Sequence, residues 1–222
     1  GYTLYPDYRK LFLVEGENNN EVIFDIQFTS QTGMDQGNRF NTMYGNKSMK
    51  AAGWSWLLPT KELIELYETT PDGKPDDNPL FDQKDPRMDM TVMRPGTTFI
   101  DKNDQVKRYY EDVKNYEHAQ TGMHCRKFVI EGSSPDAPFE GYWDGPQNFI
   151  LFRYADILLL YAEAMNEVYG PSALVYDAIN EVRGRETTNM PTVENKTQGE
   201  LREIIRRERG VELALEGWRY YD

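Results

Sequence analysis

The spacing of apolar residues changes along the chain, and each change marks an element. Between Val22 and Phe28, the residues Val22, Phe24, Ile26 and Phe28 occupy every second position, the pattern of a strand with one apolar face. Weaker strand patterns cover 90–93 and 126–130. From 149 to 169 the period lengthens: Leu151, Tyr154, Leu158, Tyr161, Met165 and Val168 lay one continuous stripe along a helix. Gly170-Pro171 breaks that helix, and Ser172 is placed to cap the next, running to about Arg185 with Val175, Ala178, Ile179 and Val182 inward. The connection is so short that the two helices must run antiparallel. A third helix opens on Thr197-Gln198-Gly199-Glu200, a capping box in which each side chain satisfies the other residue's free amide. Its stripe, Leu201, Ile204, Val211, Leu215 and Trp218, is interrupted by Glu208, which must reach water or a buried partner.

The first two thirds of the chain read differently. Residues 29–52 are rich in Gly, Asn, Ser and Gln, show no sustained period, and predict a long loop of the kind that more often carries function than not. Pro59-Thr60 starts a helix over 61–68, ended by Pro71-Asp72-Gly73, and the Pro and Gly residues of 133–148 predict another loop. The expected fold is mostly α with long loops and a few short strands. Within one domain, 1–148 would be a loop-rich, ligand-presenting region and 149–222 a region of helical hairpins.

Composition narrows the function. A formal net charge of -12 lacks the clustered cations from which nucleic-acid binding draws its affinity. No apolar run approaches the roughly 18 residues of a membrane-spanning helix. The single cysteine, Cys125, excludes an internal disulfide and a multi-cysteine zinc site, and is expected to be a packed free thiol. Asp72, Asp76, Asp77, Asp82 and Asp85 offer oxygen ligands for calcium, but their spacing is not that of an EF-hand, so a solvated acidic loop and no cofactor are expected. Glu208, Glu212 and Glu216 step by four, and Arg206, Arg207 and Arg209 lie beside them, which predicts a salt-bridged helix face rather than a pair of catalytic carboxylates. No signal peptide precedes Gly1 and no stop signal follows Arg219, so both ends read as cut.

Aromatic residues are more abundant than a core of this size requires, with 15 Tyr and 4 Trp. A sugar-binding surface needs flat rings for the apolar faces of pyranoses and polar groups for their hydroxyls. The candidates are Arg39, Phe40, Asn41 and Tyr44 in the long loop together with Trp54 and Trp56, which point the same way if the backbone between them is extended. Tyr142 and Trp143 form a second candidate; Trp218 lies on a helix stripe and is assigned to packing.

The run Arg153-Tyr154-Ala155-Asp156 through Tyr161-Ala162-Glu163-Ala164 to Asn166-Glu167 resembles the "RYAD-LL-YAEA-NE" helix of the SusD/RagB family. Ile179-Asn180 with Val182-Arg183 is similar to its "IN-VR" helix, and Glu208-Arg209, Glu212-Leu213 and Glu216-Gly217 follow in the family's order. Upstream, Glu21-Val22-Ile23-Phe24 looks like its "EVIF" strand, Pro59-Thr60 like its "PT-EL" helix start and Asp85-Pro86-Arg87 like its "DPR" turn. The resemblance implies a tetratricopeptide-like α-α superhelix that packs on a TonB-dependent, SusC-like transporter and presents a ligand site from loops. It implies no catalysis, a nutrient glycan or oligosaccharide as ligand, and a surface-exposed place at the outer membrane through a lipid anchor outside this chain. Peptide binding, or a scaffold whose sole partner is the transporter, are the alternatives it leaves open. Arg153 and Glu208 each interrupt an apolar region and are expected to pair with one another in the interior.

Overall fold

A computed structural model describes residues 1–30, 36–49, 53–109, 120–132 and 143–220. Two short 3-10 turns, Lys10–Phe12 and Val14–Gly16, lead into β1 (Val22–Ile26). Then come α1 (Phe40–Tyr44), α2 (Lys61–Leu66), β2 (Thr69–Lys74), α3 (Arg87–Thr91), β3 (Val92–Met93), β4 (Thr98–Ile100), β5 (Val106–Arg108) and β6 (His124–Cys125). β7 (Phe149–Arg153) runs straight into α4 (Tyr154–Tyr169), followed by α5 (Ala173–Arg183) and α6 (Gln198–Glu212). Helix outweighs strand, and among the described residues β1 pairs with β7, β3 with β6 and β4 with β5 as two-stranded antiparallel ribbons, while β2 makes isolated bridges to Lys84.

The three long helices behave as their stripes predict. Leu158, Leu159 and Ala162 of α4, Val175, Ile179 and Val182 of α5, and Leu201 and Ile205 of α6 share one buried cluster. Asn166 near the end of α4 donates to the Gln198 carbonyl at the start of α6 (3.0 Å), while Arg209 near the end of α6 meets Asp156 at the start of α4 (2.8 Å). α4 and α6 are therefore antiparallel. Gly170, at φ 74°, ends α4, and the capping box forms as expected: the Glu200 amide donates to Thr197 Oγ1 and the Thr197 amide to Glu200 Oε2.

Several boundaries differ from expectation. Residues 149–153 are strand rather than the first turns of a helix, because β1 supplies a partner and Arg153 is drawn inward. In β1 the apolar Phe24 and Ile26 face outward, 56% and 45% exposed, beside Phe152 on the same ribbon. Residues 126–130 are not strand; the pairing lies two residues earlier, in β6. The third helix stops at Glu212, so Leu215 and Trp218 belong to the segment beyond it, where Trp218 packs on Phe152 (5.4 Å). Ser172 takes the extended backbone of a cap, but its buried hydroxyl finds no partner.

The acidic stripe of α6 is the largest correction. Glu208, Glu212 and Glu216 are salt-bridged but buried, and their partners come from distant elements rather than from Arg206, Arg207 and Arg209. Glu208 holds Arg87 (2.5 Å) and Arg183 (2.9 Å); Glu212 holds Arg87 (2.9 Å), Arg153 (2.7 Å) and Arg185 (2.7 Å); Glu216 holds Arg153 (2.8 Å) and Lys127 (2.5 Å). Glu21 joins from the residue before β1, bonding Arg153 (2.8 Å) and Arg185 (2.6 Å). Arg153 and Glu208 do not pair. The ribbon carries Arg153 to the far end of α6, so it meets Glu212, the last residue of the helix, and Glu216 beyond it. Fixed opposite charges satisfy each other here, as buried ions must.

Candidate functional site

The site begins at α1, a helix of barely more than one turn whose carbonyls face a second strand of chain. Trp54, Ser55 and Trp56 lay their amides on it: Trp54 N donates to Thr42 O (2.6 Å), Ser55 N to Gly45 O (3.1 Å) and Trp56 N to Met43 O (2.9 Å). Such contact between backbones requires residues without side chains. A Cβ on Gly53 would overlap the carbonyl group of Gly45. The backbone between the two tryptophans is not extended, since Ser55 lies in the left-handed region at φ 55°. The indoles are nevertheless brought together, with ring centroids 5.1 Å apart.

A third indole arrives from the other candidate loop. Asn38 and Gly145 exchange backbone hydrogen bonds, both 2.8 Å, and tie the start of α1 to residues 143–148. Trp143 thereby stands 4.7 Å from Trp54, edge to face, and 6.3 Å from Trp56. The Arg39 guanidinium lies over the Trp143 ring, 4.9 Å from its centroid. Two stretches about ninety residues apart in sequence thus converge on one surface. Trp56 is 59% exposed and Trp54 37%, while Trp143 is half-buried.

Phe40, Asn41 and Tyr44 sit beneath the surface rather than on it. Phe40 and Tyr44 pack against Phe128, at 5.4 and 5.5 Å, and Phe40 also against Phe149. Burial pushes the Tyr44 hydroxyl up to about 12. Asn41 is 2% exposed, with its amide donating to Gln147 Oε1 (2.7 Å) and its oxygen accepting from Ile130 N (2.6 Å), so both ends are committed within the protein. Tyr142 lies outside the described residues.

Sequence reasoning missed what lies under the tryptophans. Ser55 Oγ is 2.7 Å from His124 Nε2, Tyr109 bonds the other ring nitrogen, and the Cys125 thiol donates to Leu57 O (3.3 Å). No local motif announces these contacts, because their members are scattered from 55 to 125. Burial pushes the Cys125 thiol well above its ordinary pKa, so it is unreactive. In the acidic loop and the segment after it, Asp76 and Asp89 are bound by Arg94, and Asp85 by Arg87. Among the described residues, no group of His, Cys, Asp and Glu could hold a metal ion, and no helix is long and apolar enough to cross a membrane.

A helix-dominated scaffold with short ribbons that carries an exposed indole cluster has the character of a binding module. The SusD family model matches residues 20–222, and the chain belongs to the SusD family. It is 27% identical, over 94% of its length, to the SusD-like protein P38 of Formosa agariphila. That match spans 40% of the relative, so the chain corresponds to less than half of it. A solved SusD-like carbohydrate binding protein from Bacteroides fragilis is 31% identical, with a TM-score of 0.79 over the whole of this chain and 44% of the other. A laminarin binding SusD-like protein shares the fold at 24% identity and a TM-score of 0.69, covering all of this chain and 45% of that one.

Proposed function

We propose that this chain supplies the sugar-contacting surface of a cell-surface nutrient-binding protein, which captures a glycan and passes it to a TonB-dependent outer-membrane transporter. The observation that carries this reading is the cluster of Trp54, Trp56 and Trp143 with Arg39. Soluble proteins rarely leave such rings together at the surface unless a partner covers them. Indoles offer broad apolar faces at little entropic cost, and the Arg39 fork can donate to hydroxyls beside them. The carbohydrate-binding relative from Bacteroides fragilis supports the same ligand class. The antiparallel helices would form part of a tetratricopeptide-like superhelix, a frame for binding with no part in catalysis.

Because Trp56 is the most open ring and Trp143 has one face under Arg39, the contribution to binding should rank Trp56 first. Titration calorimetry with laminari-, cello-, malto- and xylo-oligosaccharides tests the reading. Saturable binding to at least one is expected, with Trp56→Ala losing about 2 kcal/mol, roughly 30-fold, as a central contact residue does. Indifference to every sugar, with binding of peptides instead, would replace glycan by peptide as the ligand. Silence towards both would leave the transporter as sole partner.

A further inference from the structure

Two consecutive residues of β6 touch the segment that carries Trp54 and Trp56. Ser55, between them, holds a left-handed backbone that a residue with a Cβ keeps only when its surroundings enforce it. Its hydroxyl points inward, 2.7 Å from His124 Nε2, and lies 3.4 Å from the Gly45 carbonyl. Tyr109 bonds His124 Nδ1, so each ring nitrogen faces one hydroxyl. The next residue along β6, Cys125, donates its thiol to the Leu57 carbonyl at 3.3 Å. Trp56 is therefore anchored on both sides, while its own amide is held by Met43. The anchor stands on firm ground. β6 pairs Val92 with Cys125 and Met93 with His124, and all four are buried.

We propose that His124 and Cys125 are positioning residues that fix the indole cluster before any ligand arrives, with Ser55 as the link to His124. The proposal rests on the assignment of the tryptophans as contact surface. Ser55 is 8% exposed, with its hydroxyl between His124 and Gly45, an arrangement that suits holding a turn rather than attacking a substrate. The benefit is preorganisation. Indoles already in place lose little rotational freedom on binding, whereas a loosened segment must be ordered at the expense of affinity.

The test compares the wild-type protein with Ser55→Gly and His124→Leu. Ser55→Gly keeps the left-handed backbone accessible and removes the CH2OH side chain, and with it the contact to His124. Indoles 4.7 and 5.1 Å apart couple their transitions, so circular dichroism reports their mutual geometry without any ligand. Both variants are expected to lose much of that coupled signal and to weaken binding of the best oligosaccharide on the order of tenfold, as a lost preorganisation does. Cooperative melting should persist in Ser55→Gly, which keeps the test decisive if His124→Leu fails to fold. An unchanged coupled signal in Ser55→Gly overturns the proposal, with or without a change in affinity. If the wild-type protein binds no sugar, the glycan-contact reading fails, yet the dichroism comparison still decides whether β6 positions the rings.

Discussion

Arg153 donates five hydrogen bonds, to Glu216 through Nε and Nη2, to Glu21 and Glu212 through Nη1, and to the Glu212 carbonyl through Nη2. Every N–H of the guanidinium is used, which is what makes so deep a charge tolerable. Glu212 is the hub on the other side, facing Arg87, Arg153 and Arg185 at once. Glu212→Gln should therefore cost about 3 to 5 kcal/mol, the range for breaking a buried pair, because three buried cations lose one charge together. Glu208→Gln should cost less, since Arg87 keeps Asp85 and Arg183 keeps Glu68. Urea denaturation of both variants gives the order, and an equal loss would mean that Glu212 is no hub. The four-residue step of 208, 212 and 216 showed that the three acids share a face. It could not show which way that face turns, because solvated and buried acidic stripes have the same period.

At the scale of elements, the glycines at the crossing of α1 and the Trp54 segment govern the site. Gly53→Ala would force a Cβ into the Gly45 carbonyl, with no flexible side chain in between to give way. The expected outcome is a segment displaced from α1, a loss of about 1 to 3 kcal/mol from overpacking, and a shift in tryptophan emission. Gly199 is the counterpart: it lies in α6 with nothing within 4 Å of its Cβ position, so Gly199→Ala should raise stability by about 0.5 to 1 kcal/mol. Melts of the two variants moving in opposite directions would bear out the distinction. The long helices were legible in the sequence because their stripes run for many turns and their breaks coincide with Gly170-Pro171 and the Thr197 cap. β7 was not, since Phe149 to Arg153 fits either period and only the pairing with β1 decides it. The two halves of the indole cluster were each legible as aromatic loop residues. Their meeting depends on the Asn38–Gly145 bridge, which no periodicity encodes.

Across the whole molecule, the buried charges join residues that the sequence separates into a loop-rich region and a helical region. Glu21, Asp85, Arg87 and Lys127 come from the first; Arg153, Arg183, Arg185, Glu208, Glu212 and Glu216 come from the second. The fold should then fail as a unit when the carboxylates are protonated. Burial alone would raise the Glu212 carboxyl, but Arg185, Arg153 and Arg87 outweigh it and hold it far below the ordinary range. Glu216 is lowered in the same way by Arg153 and Lys127 against its burial. Unfolding returns both to an ordinary value near 4.3, so the unfolded chain binds more protons below that pH. The sign follows: their stabilisation is fully present above about pH 4.3 and is lost as pH falls towards the depressed native values. Each carboxyl contributes a slope of about 1.4 kcal/mol per pH unit in that window. Stability measured by urea at neutral pH and at steps below pH 5 should be level at first and then fall steeply. In Glu212→Gln the fall should be shallower by one carboxyl's share, because a group that cannot titrate adds nothing to the slope. An acid limb of the same steepness in that variant would show that the pairs around Glu212, at the end of α6, do not link the two regions.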